Sequence, residues 1–198
     1  MSSISAKISV IPKMSADKIP ELLESIVRTM KTDKLSKKEM DQLCQTTLTM
    51  LPNSPPIVSR AILSTMKEII DSHEYSSNYP KQLLLALMPI LGIKKTKVRN
   101  LAINLAYALV PLVTPNFFWE QLSPALNDKN NYLKESALIL FKETVKNFPD
   151  FKTSRYLKAV FSSFKDPLPI PRQDAMEIAT ILYQRNPTAI ETQLKNQF

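Results

Sequence analysis

Glycine is almost missing from this chain: one residue, Gly92, among 198. Hairpin turns, β-bulges and dinucleotide sites all rely on glycine, where backbone must take positive φ or approach a phosphate. A phosphate-cradling loop needs several glycines whose N–H groups converge, so no such loop is expected. Cysteine and histidine also occur once each, as Cys44 and His73. A single cysteine forms no internal disulfide, which suits a reducing compartment. Structural zinc needs four ligands, usually clustered cysteine and histidine, and that cluster is absent. No apolar run approaches the roughly 18–20 residues that span a bilayer. The N-terminus, MSSISAKISVIPKMSADK, has no continuous apolar core before a small-residue cleavage site, so it does not read as a secretory signal. These absences predict a cytoplasmic protein with no membrane segment, no metal and no cofactor.

Proline and positive charge are plentiful. Fifteen prolines punctuate the chain, and the net charge is +8 with 44% apolar residues. An acidic partner follows from that charge, although charge alone does not separate nucleic acid, an anionic surface and an acidic protein. Apolar residues at helical spacing between proline and polar turn signals predict an all-α chain. Helices are expected near 17–32, 36–51, 55–72, 79–91, 95–111, 115–127, 130–148, 152–165, 170–186 and 188–197. Residues 1–16 read as an extended N-terminal segment and 17–198 as a single domain.

The helical pattern repeats. LMPILGIKKTKVRNLAI (87–103) aligns with LSPALNDKNNYLKESAL (122–138) at an offset of 35, and VFSSFKDPLPIPRQDAM (160–176) follows at 38. A fainter copy, LTMLPNSPPIVSRAI (48–62), precedes them. Ala61, Ala102, Ala137 and Ala175 mark equivalent places. The residue after each is apolar (Ile62, Ile103, Leu138, Met176), as is the residue eight beyond (Ile69, Val110, Val145, Tyr183), so both are expected on the buried face of a helix. Each unit reads as helix A, a turn, then helix B. Such a pair cannot bury its apolar face alone and must stack on its neighbours. The fold class expected is an α-solenoid of about five helix pairs.

These units resemble HEAT repeats. An acid closes helix A and a base follows six residues later, as in Asp128 with Lys134 and Asp166 with Arg172, while Arg99 holds the base position of the preceding unit. The resemblance implies a ladder of charged hydrogen bonds between repeats, made by Arg99, Asp128 and Asp166. Proline inside helix A (Pro89, Pro124) is typical of the family as well. Within it, FKDPLPIPRQDAMEIATILYQRNP (164–187) is similar to the closing repeats of TOG domains of the CLASP N-terminal type. That resemblance implies a non-enzymatic module that binds tubulin along its A-to-B turns and regulates microtubule dynamics at the cytoskeleton. TOG domains generally carry an aromatic residue in the first turn, whereas the one tryptophan here, Trp119, begins a later helix A.

The candidate contacts lie on the turns. Lys94, Lys95 and Lys97 closely follow the one glycine, Lys129 repeats Lys94 in the next unit, and Lys134 and Arg172 complete a basic row suited to an acidic protein surface, tubulin under the TOG resemblance. Gly92 itself is expected to end a helix at positive φ. A second basic group, KTDKLSKKEM (31–40), reads as a solvated turn with a Ser36–Glu39 capping box. Phe117, Phe118 and Trp119 read as core rather than as a partner anchor. No lysine or arginine lies within five residues of that run, so stacking on nucleic acid is not expected. Cys44 and His73 fall near different helix ends, and no constellation supports an enzyme. A monomer is expected. The alternative function is a HEAT scaffold that binds a non-tubulin partner on the concave face of its B helices.

Overall fold

The structure is a computed structural model that describes residues 4–195. Among the described residues it contains α-helices and short 3-10 turns and no strand. The helices are α1 (Ile4–Val10), α2 (Ile19–Thr32), α3 (Lys37–Met50), α4 (Pro56–Ser72), α5 (Tyr79–Leu91) and α6 (Thr96–Val113). They continue with α7 (Pro115–Leu122), α8 (Asn131–Asn147), α9 (Leu157–Ser162), α10 (Pro169–Arg185) and α11 (Pro187–Lys195). In chain order they form five A–B pairs, α1–α2 through α9–α10, with α11 following.

Most expected helices are present with bounds shifted by one or two residues, the expected 115–127 helix ends at Leu122, and the expected end of the 188–197 helix lies outside the described residues. The 152–165 segment differs, being divided into a 3-10 turn at Ser154–Tyr156, the short α9, and a 3-10 turn at Ser163–Lys165. The N-terminus differs more. The segment expected to be extended is helical over Ile4–Val10 and continues as a 3-10 turn over Ile11–Lys13. It supplies helix A of a first repeat. Ile8 and Ile11 are fully buried, so apolar burial holds the segment against the fold. The signal was present in the sequence: Ile11-Pro12 stands 40 positions before Leu51-Pro52, and both begin a 3-10 turn that closes helix A. Ser123–Asn127 closes α7 in the same way, again with proline second. Proline brings no N–H to these closing turns, so it interrupts the α-helical ladder there at little cost.

Two compact units make up the chain. One runs to Ile90 and takes in Lys95–Leu105; the other holds Leu91–Lys94 and the described residues from Ala106 onward. In the first unit, α1 stacks on α3 and α2 on α4, so A helices meet A helices and B helices meet B helices. Ser5 Oγ donates to Gln42 Oε1 at 2.8 Å, fastening α1 to α3. The first unit contains the A-to-B turns 14–18 and 51–55. Its opposite edge begins α3 with the expected capping box: Ser36 Oγ accepts from the Glu39 amide while Glu39 accepts from the Ser36 amide.

In the second unit α8 stacks on α10, the Ser123–Asn127 turn on α9, and α11 packs on α10 and α9. Its core centres on Trp119, fully buried, with Phe141 at 4.7 Å between ring centroids and Phe118 at 5.5 Å. Trp119 Nε1 donates to Thr144 Oγ1 at 3.1 Å, which satisfies its one polar atom. Met176 and Tyr183, expected to be buried, are exposed. Their counterparts in earlier pairs, Ile62, Ile69, Leu138 and Val145, are buried. The last B helix among the described residues has no further repeat stacked on it, so the same sequence position changes environment. Tyr183 instead donates to Glu191 of α11 at 3.1 Å.

Candidate partner-binding edge

The A-to-B turns of the second unit are tied to each other by side-chain bonds. Asn130 Nδ2 donates to the Gly92 carbonyl at 2.9 Å, and Ser136 Oγ lies 2.8 Å from the Leu91 carbonyl. Carbonyls at a helix C-terminus lack an intrahelical donor; Asn130 supplies one to Gly92, while Ser136 Oγ lies equally near the Tyr132 carbonyl, at 2.8 Å. Asn130 also N-caps α8, with Oδ1 accepting from the amides of Tyr132 at 3.0 Å and Leu133 at 3.3 Å. One asparagine side chain therefore starts one helix and closes another.

The next step joins the turn at 128–130 to that at 166–168. Lys134 Nζ pairs with Asp166 Oδ2 at 2.8 Å, with side chains only 19% and 4% exposed. Asp166 Oδ1 accepts from the Leu168 amide at 2.9 Å, and Arg172 donates to the Asp166 and Pro167 carbonyls at 2.7 and 3.0 Å. Burial pushes the Asp166 carboxyl upward, but the Lys134 ammonium, the Leu168 amide and the Arg172 charge outweigh it and hold the group below the usual carboxylate range. The ladder thus runs between repeats, from the base of one to the acid of the next. Asp128 makes a local turn instead, with Oδ1 accepting from the Asn130 amide at 2.7 Å.

These bonds divide the basic residues predicted for the edge. Lys134 and Arg172 are occupied inside the ladder, Lys134 by Asp166 and Arg172 by backbone carbonyls. Arg99, predicted as a ladder residue, is buried. Lys94 and Lys129 are exposed on consecutive turns of the second unit, and Lys95 and Lys97 are exposed in the first. Lys165, exposed on the next turn, continues the row and was not singled out from sequence. The offset of 38 between these units puts Pro167 at the Lys129 position and Lys165 two residues before it, so the repeat alignment gave no signal for this lysine. Gly92 also departs from expectation, because its φ is not positive. Its requirement is space: a Cβ there would stand 2.8 Å from Asn130 Nδ2.

The other edge of the first unit is engaged differently. Lys31 pairs with Glu68 at 2.8 Å and Lys34 with Glu74 at 2.6 Å, which neutralises much of the KTDKLSKKEM stretch. His73 ends α4 at φ 58°, and its Nδ1 lies 2.8 Å from the Ile70 carbonyl. Cys44 is buried, and burial reinforced by Asp41 pushes its thiol up to about 12. At that value it is neutral and not a nucleophile at physiological pH. Among the described residues, no group of three or more histidine, cysteine, aspartate or glutamate side chains is placed to hold a metal ion, and no helix is long and apolar enough to cross a membrane.

Comparison with solved structures gives the same architecture. The N-terminal domain of MAST/Orbit superposes with a TM-score of 0.84 at 19% identity, over 99% of this chain and 90% of that one. The chain has a TOG-like HEAT-repeat fold. The CEP104 TOG domain superposes with a TM-score of 0.61 at 17% identity, over 94% of this chain and 74% of that domain. No protein-family model and no curated protein matches the sequence. In the TOG frame, the first A-to-B turn, at 14–18, contains no aromatic residue. Met14, half-buried there, lines a notch of about 270 Å³ with Ile19, Met50, Pro55 and Val58.

Proposed function

We propose that this chain is a tubulin-binding TOG-like module, without enzymatic activity, that regulates microtubule dynamics in the cytoplasm. The observation that carries this reading is the row Lys94, Lys129 and Lys165, exposed on successive A-to-B turns that side-chain bonds hold in fixed register. A rigid row of cations along a turn edge suits an acidic, ordered protein surface, because complementary charge steers association and fixes orientation. Lys95 and Lys97 add to the same charge. Lys134, Asp166 and Arg172 serve the register of the turns rather than the contact, Asp128 shapes its own turn, and buried Arg99 lies off the contact. The module acts as a monomer in this reading, with no membrane, nucleic acid or cofactor.

The test is co-elution of the purified protein with tubulin dimers on size-exclusion chromatography at low and moderate salt. A complex that weakens with added salt, and is lost on replacing Lys94, Lys129 and Lys165 together by glutamate, supports the proposal. No complex at either salt from a folded protein overturns it. The second reading, a scaffold with a different protein ligand on its B helices, has one observation in its favour. The exposed side of α10 carries a groove of about 540 Å³ beside Met176, Ile181 and Lys146. A partner lost with Met176→Glu but retained by the triple lysine variant belongs to that face.

A further inference from the structure

We propose that Thr96 is a phosphoacceptor at which a basic-directed serine/threonine kinase switches the charge of the A-to-B edge. Thr96 is the first residue of α6, is exposed, and makes no hydrogen bond through its hydroxyl. Two exposed lysines, Lys94 and Lys95, precede it directly, and the exposed Lys97 follows. Two other hydroxyls near lysines, those of Ser36 and Thr32, are engaged. Ser36 Oγ bonds Glu39 at 2.6 Å and caps α3, and the Thr32 hydroxyl lies 3.3 Å from the Arg28 carbonyl. Thr96 therefore combines upstream positive charge, exposure and an unengaged oxygen. The Lys95 carbonyl accepts only the first-turn amides of Val98 and Arg99, at 3.1 and 3.0 Å. Opening one terminal turn to present Thr96 in extended form is among the cheapest local unfoldings a helix offers.

The chemistry is ordinary phosphoryl transfer. The bond from Thr96 Oγ to the γ-phosphorus of ATP forms as the bond from that phosphorus to the bridging oxygen breaks. ADP leaves, and the hydroxyl proton passes to the carboxylate base of the kinase. The product adds about −1.5 to −2 charges at pH 7 in the middle of Lys94, Lys95 and Lys97. The charge sits at the start of α6, where a negative group favours the helix, so the modified chain stays folded while the Lys94, Lys95 and Lys97 cluster loses about half to two-thirds of its positive charge. The effect on tubulin rests on the function proposed above; the phosphorylation itself does not.

The experiment treats the full chain with ATP and a cAMP-dependent-type kinase, then maps phosphate by tandem mass spectrometry. Binding is read twice, to a poly-glutamate peptide and to tubulin. The expected result is one phosphate on Thr96, absent from Thr96→Ala, unchanged far-UV circular dichroism, and about tenfold weaker binding to poly-glutamate at low salt. Tubulin binding falls in parallel. Phosphate confined to other hydroxyls, or none at all with wild-type chain, overturns the proposal. Phosphate on Thr96 with poly-glutamate binding undiminished overturns the switch. A chain that is phosphorylated and loses poly-glutamate, yet never binds tubulin in either form, upholds the switch and removes tubulin as its partner.

Discussion

Asn130 Nδ2 sits 2.9 Å from the carbonyl oxygen of Gly92, and a Cβ on Gly92 would stand 2.8 Å from that same nitrogen. The only glycine in the chain is thus specified by the side chain that caps the next B helix. Gly92→Ala forces Asn130 to move and weakens both of its roles, so a loss of about 1–2 kcal/mol is expected in chemical denaturation. The loss shrinks in an Asn130→Ala background, where the obstructing amide is gone. Equal losses in both backgrounds would place the cost elsewhere.

Lys134 and Asp166 form the second link between turns. Lys134→Met removes the ion-pair partner of buried Asp166 and is expected to cost about 2–3 kcal/mol, under a fully buried pair because Lys134 keeps some exposure and the Leu168 amide and Arg172 charge remain. Lys134→Met with Asp166→Leu recovers most of it. Asp166 also predicts a pH dependence. Its folded pKa lies below the unfolded value, so the stabilisation is complete above the ordinary carboxylate range near 4 and is lost as pH falls through that range to the folded pKa. Denaturation midpoints measured between pH 6 and pH 2 should fall more steeply for wild type than for Asp166→Asn.

Trp119 offers a probe of the second unit. Fully buried among Phe118, Phe141, Phe151 and Tyr156, it should show blue-shifted fluorescence that moves red on unfolding. Trp119→Ala is expected to cost about 3–5 kcal/mol, whereas Trp119→Phe keeps most of the packing and loses chiefly the Thr144 bond. If the alanine variant is as stable as wild type, the aromatic cluster is not the core of that unit.

Cys44 should be inert in the folded chain. Buried, and with its thiol pushed up to about 12, it is expected to react with a disulfide reagent at pH 8 only after denaturant is added. Rapid labelling without denaturant would show that α3 opens readily.

The two basic edges should respond differently to charge reversal. Lys94→Glu with Lys129→Glu is expected to weaken tubulin co-elution about tenfold or more at low salt. Lys31→Glu with Lys34→Glu, on residues already paired with Glu68 and Glu74, is expected to leave binding near the wild-type level. Equal losses from both pairs would indicate a response to net charge rather than to the turn row.

Local physics made much of this molecule legible in advance. The scarcity of glycine, the helical periodicity, the Ser36–Glu39 box and the recurring alanines determined an all-α chain of paired helices, because those signals act within one helix or one turn. The repeat length also carried Lys94 to Lys129, whereas Lys165 came only from the structure. Tertiary structure decided the rest. Whether Ile8 and Ile11 are buried depends on what lies beneath them, so a short segment with mixed pattern became helix A of the first repeat rather than an extended arm. The position that buries Leu138 leaves Met176 exposed, since burial depends on the next repeat and not on the residue. The partner of Lys134 lies 32 positions away, beyond any local rule, and the need for Gly92 comes from a neighbouring asparagine rather than from its own φ. Local sequence determines most of the elements; stacking decides the helix at Ile4–Val10 and which charges remain at the surface.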